Sequence, residues 1–302
     1  MNLFTCTNLN KKYQKGNFTL KDISLELRTG EITGVVGENG NGKTTLLRII
    51  AGDLAHDNGT VNYFGNNEVN VLSWENIRSR VAYIPQRIPQ WYGTLRNNLV
   101  FQASIRGITG KEADLQVDEL LEKLGLTEYA PLRWSEISTG YRLRFQLAKM
   151  LLINPELLVL DEPIANLDIN AQGKFLSDLR TIVSEQKRKV SVILSSQQLH
   201  EIENVADAIV FLRKGEMIYS GEVGKIGETR TDNEFEIQTS LPGEVLQSMF
   251  PGITMNAHGK TLHVKVPLEV TPEKFVLEII QKGGTIHYFR DISSSTRRLF
   301  NN

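Results

Sequence analysis

Apolar and polar positions alternate through "NFTLKDISLELRTG", with apolar Leu20, Ile23, Leu25 and Leu27, and the pattern predicts a strand. Residues 1–35 as a whole read as short strands that end in "EITGVVG", an apolar run suited to a strand buried on both faces. The period then changes. In "KTTLLRIIAG", Leu46, Leu47 and Ile50 fall at helical spacing and Gly52 offers a stop. Residues 94–153 are mostly helical in pattern, notably "KEADLQVDELLEKLGL" and "YRLRFQLAKMLLI", and they precede the apolar strand "ELLVLD". Next come a helix near 170–187, the strand "KVSVILSS", a helix from about 198, and the hairpin "AIVFLRKGEMIYSG". A polar stretch, "GETRTDNE", reads as a linker. Beyond it "FEIQTSL", "TLHVKVPL" and "GTIHYF" alternate as strands around the helical "PEKFVLEIIQKG". The expectation is an α/β core over 1–226, with a helical subdomain at about 88–153, followed by a small α+β domain over 227–302.

Composition narrows the functional classes without choosing among them. The 302 residues are 40% hydrophobic and carry a formal net charge of −1, so no basic excess points to nucleic acid, which is not expected as a partner. Cys6 is the one cysteine, which excludes an intramolecular disulfide and a cysteine-rich zinc cluster and fits a reducing compartment. The start "MNLFTCTNLNKKYQ" lacks the pattern of a signal peptide, and no window approaches 18 uninterrupted apolar residues.

The chemistry begins between the first buried strand and its helix. Gly37, Glu38, Asn39, Gly40, Asn41, Gly42, Lys43, Thr44 and Thr45 spell "GENGNGKTT", which satisfies G-x-x-x-x-G-K-[ST] in the strand–loop–helix context that gives this motif its meaning. The glycines let backbone N–H groups curl toward phosphate oxygens, and the helix N-terminus adds partial positive charge. Lys43 would meet the β- and γ-phosphates, and the Thr44 hydroxyl would help hold Mg²⁺. "LLVLDEP" ends an apolar strand in two carboxylates: Asp161 for Mg²⁺, and Glu162 to orient or deprotonate the water that attacks the γ-phosphate.

Four further stretches make the chain resemble the ABC ATPase family over residues 1 to about 226. "YIPQ" puts Gln86 where the family has its Q-loop glutamine, linking the Mg²⁺ site to the helical subdomain. "ISTGYRLR", with Ser138, Thr139, Gly140 and Tyr141, stands where the family's signature should be. "PIANLD" looks like the D-loop and ends in Asp168, and Tyr13 resembles the aromatic residue that stacks on adenine. The expected fold is therefore a P-loop NTPase of the ABC ATPase type, with a β-rich N-terminal subdomain, a helical subdomain and the α+β appendix. The resemblance implies ATP and Mg²⁺ as ligands. It also implies a head-to-tail homodimer or pairing with a related ATPase, an integral membrane permease as partner, and a cytoplasmic position on the inner face of the membrane. Trp91, Tyr92 and Leu95 are candidates for apolar surface offered to a permease helix, or for core. The tail "FRDISSSTRRLF" resembles the ends of small accessory domains in exporter-type ATPases.

Three positions depart from the family pattern. Gln197 occupies the place of a histidine that contacts the γ-phosphate; an amide donates a hydrogen bond but never carries charge. His200 lies in the following helix as a surface residue. Thr139 replaces a glycine, and Tyr141 replaces a glutamine, which would add bulk near the partner's nucleotide. Hydrolysis is the expected activity, possible reduction at these three positions notwithstanding; the alternative is a nucleotide-gated binding protein with weak or no turnover.

Overall fold

A computed structural model describes residues 2–13, 18–65, 73–185, 189–225 and 232–293. They fall into two compact units, 1–220 and 221–302. The expected boundary at 226 and most of the linker "GETRTDNE" lie outside the described residues, as does most of the tail "FRDISSSTRRLF".

The first unit contains two sheets. Strands β1 (Asn2–Lys12), β2 (Thr19–Arg28) and β4 (Asn58–Tyr63) form an antiparallel sheet in the order β2-β1-β4. The larger sheet runs β5-β6-β7-β3-β8-β9, built from β3 (Ile32–Val36), β5 (Val81–Ile84), β6 (Leu157–Leu160), β7 (Ser191–Ser196), β8 (Ala208–Arg213) and β9 (Glu216–Glu222). Strands β5, β6, β7, β3 and β8 pair in parallel. β3, β6 and β7 are buried on both faces, residue after residue, without the alternating burial of a half-exposed strand. Lys214 and Gly215, with φ of 49° and 82°, turn β8 back into β9, a conformation suited to a two-residue hairpin.

Helix α1 (Lys43–Ile50) packs into one core with both sheets, through Leu46, Leu47 and Ile50 against Leu20, Ile23 and Val35. Its C-terminal carbonyls, which have no partner within the helix, accept hydrogen bonds from the Tyr63 hydroxyl at Ile49 O (3.0 Å) and Ile50 O (3.1 Å). After α2 (Trp74–Arg80), the helical segment comprises α3 (Leu95–Ile105), α4 (Lys111–Lys123) and α5 (Thr139–Leu151), with α6 (Ile169–Ser184) following β6.

The helix expected from about 198 is a single 3₁₀ turn, Leu199–Glu201. Its start has no side-chain cap, and the Ser196 hydroxyl instead closes a local turn by accepting from Gln198 N at 3.0 Å. Ile202 then plugs the space over Gly34 of β3, where even a Cβ would come within 2.5 Å of Ile202 Cδ1. The chain has to reach Asp207, whose carboxylate accepts from Ile32 N at 2.9 Å, too soon for a longer helix.

The second unit is β10 (Asp232–Thr239), α7 (Gly243–Met249), β11 (Thr254–His258), β12 (Thr261–Pro267), α8 (Pro272–Gln281) and β13 (Ile286–Asp291). The antiparallel order β11-β12-β10-β13 makes it a βαββαβ unit of ferredoxin-like topology. Phe235, Phe250, Phe275 and Ile279 anchor its own core.

Candidate functional site

The C-terminal ends of β3, β6 and β7 and the segment after β5 converge, and in an open parallel sheet that is where ligands bind. Gly37 to Gly42 form the loop between β3 and α1. Gly42 caps α1 at φ 102°, and a Cβ there would lie 2.6 Å from Phe18 Cζ and 2.7 Å from Leu20 Cδ2, so both the backbone angle and the space require glycine. Asn41 ties the loop to the β8–β9 turn by accepting from Lys214 N at 2.9 Å. Glu38, Asn39, Gly40 and Thr44 are exposed, and Thr45 is buried.

Lys43 is buried and fully engaged: its ammonium donates to Gly37 O (2.7 Å) and Glu38 O (3.2 Å) and stands 3.0 Å from Glu162 Oε1. The other oxygen of Glu162 accepts two amides, from Gln86 Nε2 at 2.8 Å and Gln197 Nε2 at 2.9 Å. One carboxylate thus collects the phosphate-loop lysine and two glutamines from separate segments. Glu162 has φ 45°, a left-handed backbone rare for a residue with a side chain and characteristic of functional turns. A cleft of about 90 Å³ beside it is lined by Ile164, Ala165, Gln197 and Glu201.

Asp161 is buried and accepts from Ser195 Oγ at 2.9 Å. Burial pushes the Tyr83 phenol well above its usual range, and the neighbouring Asp161 carboxylate adds to the shift. Neither Ser195 nor Tyr83 was singled out in the sequence; a serine inside the buried run "VILSS" was the available signal, since a hydroxyl there needs a partner. Thr44, Gln86 and Asp161 offer only oxygen or amide groups, a donor set suited to a hard cation that keeps several waters. Among the described residues no three His, Cys, Asp or Glu side chains gather into a metal-binding cluster.

Tyr13 is half-buried, and its hydroxyl shares a hydrogen bond with Thr45 Oγ1 at 3.2 Å, which brings the expected adenine-stacking residue onto the phosphate-loop helix. His200 is exposed.

Ser138 caps α5, its hydroxyl accepting from Tyr141 N at 3.4 Å. Thr139 takes ordinary helical geometry in the first turn, so its β-branch is accommodated there. Gly140 packs closely on α6: a Cβ would come within 3.1 Å of Ala171 Cβ, where Asp168 caps the helix by accepting from Ala171 N at 2.9 Å. Tyr141 is held against the helical segment by its neighbour Tyr129. Its ring stacks on Tyr129 with centroids 3.9 Å apart, and its hydroxyl donates to Tyr129 Oη at 2.7 Å. One turn on, the buried Arg144 donates to Asp178 Oδ2 of α6 at 2.7 Å and to Leu124 O, fastening α4, α5 and α6 together.

Of the three candidates for permease-facing surface, Trp91 and Leu95 are core. Trp91 stacks on Trp134 at 4.9 Å and donates to Gln146 Oε1 at 3.2 Å, while Tyr92 remains 85% exposed. A cleft of about 870 Å³ opens at the other end of the parallel strands beside Arg80, Glu156 and Val190 and contains none of the phosphate-loop residues.

The family model described as ABC transporter matches residues 20–165. The ABC transporter ATP-binding protein YdbJ of Bacillus subtilis is 31% identical over 84% of this chain and 80% of its own length. The linearmycin resistance ATP-binding protein of the same organism is 29% identical over 95% of this chain and 91% of its own. Among solved structures, cbiO1 from Clostridium perfringens, part of the ABC transporter complex cbiONQ, shares the fold with a TM-score of 0.67 at 20% identity, over 76% of this chain and 95% of that one. With the phosphate loop, the capped helix α5 and the carboxylate strand following one another along the sequence, the chain belongs to the ABC transporter family and is an ATP-binding subunit.

Proposed function

We propose that the chain hydrolyses Mg²⁺-bound ATP at the ends of β3, β6 and β7, and that it does so as half of a head-to-tail dimer on the cytoplasmic face of a membrane permease. The observation that carries this reading is the Glu162 carboxylate, held by Lys43, Gln86 and Gln197 beside a cleft of about 90 Å³. On ATP binding, Lys43 exchanges its contact with Glu162 for the β- and γ-phosphate oxygens, because a phosphate carries more charge than the carboxylate it replaces. Glu162, still oriented by the two amides, then aligns the attacking water and takes up its proton. Mg²⁺, when bound, neutralises charge on the phosphates, and Thr44, Gln86 and Asp161 are the groups that would hold it. The loop N–H groups and the N-terminus of α1 bind the phosphates, with Tyr13 leaving Thr45 to face the adenine.

Ser138, Thr139 and Gly140 would complete the partner's site from the N-terminus of α5, with Asp168 alongside. The stacking of Tyr141 on Tyr129 supports that arrangement. Gln197 supplies the hydrogen bond without the charge, so turnover is retained. Among the described residues no helix is long and apolar enough to cross a membrane, in keeping with a separate permease.

The test is Mg²⁺-dependent phosphate release by the purified chain, with Glu162→Gln as the reference. ATP binding by both and turnover by the parent alone is expected. Equal turnover in the two would overturn the role of Glu162.

A further inference from the structure

Ser195 is wholly buried at the end of β7, where a hydroxyl is retained only if it has work to do. Its neighbours give it two contacts. Ser195 Oγ accepts from Glu162 N at 2.8 Å and donates to Asp161 Oδ1 at 2.9 Å, so the single hydroxyl proton is assigned to Asp161. The parallel register explains why it can. Leu157, Leu158, Val159 and Leu160 of β6 stand opposite Ser191, Val192, Ile193 and Leu194 of β7, and one residue further along Asp161 comes level with Ser195. The backbone pairing of β6 and β7 stops at that point, and the side-chain hydroxyl takes over. On the opposite side, Asp161 N donates to Ile84 O at 2.9 Å, which leaves the Glu162 peptide dependent on Ser195 for its own N–H. That peptide has φ 45°, a conformation that persists only where surrounding contacts enforce it.

We infer that Ser195 is a positioning residue for hydrolysis, setting through one hydroxyl both the carboxylate that would hold Mg²⁺ and the backbone that aims the Glu162 carboxylate at water. This rests on the reading of Asp161 and Glu162 given above. A serine at this place ties the two acidic roles together, because losing its proton donor frees Asp161 while losing its acceptor orphans Glu162 N–H.

The test compares the parent chain with Ser195→Ala, Ser195→Cys and Glu162→Gln in two measurements. Phosphate release gives kcat and KM, and equilibrium titration with a fluorescent ATP analogue, in EDTA and in Mg²⁺, gives the gain in affinity due to the cation. In Ser195→Ala, kcat should fall about tenfold, the size of one lost hydrogen bond to a charged group. Affinity in EDTA should stay within about twofold while the Mg²⁺-dependent gain shrinks by several-fold, since the cradle for phosphate itself is untouched. Ser195→Cys, close in size and a weak donor, should lie between Ala and the parent. A merely structural serine would lower affinity in EDTA and in Mg²⁺ alike, and that pattern overturns the inference. So does a Ser195→Ala variant with parental kcat and parental Mg²⁺ gain while Glu162→Gln is inactive. Turnover by Glu162→Gln at the parental rate would instead remove the underlying reading of the carboxylates.

Discussion

Replacing Gln197 by alanine removes one of two amide donors from the same oxygen of Glu162 and leaves Lys43 on the other. A hydrogen bond to a charged group is worth about 1.5–3 kcal/mol, and each ~1.36 kcal/mol is a factor of ten in rate, which brackets the loss in kcat between about 10- and 150-fold. Two features of the site place the expected value at the low end. Gln86 holds the same oxygen at 2.8 Å, and Gln197 is itself exposed, so water can replace part of the lost contact. The assay is phosphate release at saturating Mg²⁺ and ATP between pH 5.5 and 9, for the parent, Gln197→Ala and Gln197→His. Gln197→Ala should lose about tenfold in kcat at every pH, because the amide does not titrate. Gln197→His should restore rate in a pH-dependent way, its ratio to the parent changing around pH ~6.5, where an unperturbed imidazole gains its charge, and flat above pH ~8. A Gln197→Ala rate within twofold of the parent would refute the argument that this contact positions Glu162.

Removing one side of the Arg144–Asp178 pair leaves a buried charge unmatched, so Asp178→Leu should cost about 3–5 kcal/mol in urea unfolding. The double variant Arg144→Met/Asp178→Leu should recover much of that, and equal losses in the two would show that charge is not the cause. Burial alone would raise the Asp207 carboxyl, but hydrogen bonds from Arg180 and Ile32 N outweigh it and hold it below the usual carboxylate range. Its stabilising contribution is therefore complete above the unfolded pKa near 3.8 and is lost as pH falls through the lower folded value. Asp207→Asn should lower the melting temperature at pH 7 and shrink that difference below pH ~4; a constant difference across pH would contradict the linkage. Burial pushes the Cys6 thiol up to about 11, with a smaller opposing backbone hydrogen bond, so a thiol reagent at pH 8 should label it only after denaturant is added.

Much of the nucleotide site was legible because its parts are local. The loop from Gly37 to Thr45 needs glycine, lysine and threonine at fixed offsets between one strand and one helix, and Asp161 and Glu162 end a strand whose apolar run announces its burial. The caps that Ser138 and Asp168 form are local too, a property of three or four consecutive residues. Elements with weak local signals went unread: β4 and β11 are short, α2 and α7 have only 7 residues each, and none has a long periodic face.

The sequence by itself determined the order of strand, phosphate loop, helix, carboxylate strand and second domain, since periodicity and glycine placement act over a few residues. Only tertiary structure decided that Gln86, Gln197 and Lys43 meet on one carboxylate, that Trp91 and Leu95 are core, that Tyr141 turns to Tyr129, and that Ser195 lies level with Asp161. Each of those depends on strand register or helix packing between segments far apart in the chain, and a shift of one residue in the β6–β7 pairing would turn Ser195 away from the Asp161 carboxylate and the Glu162 N–H.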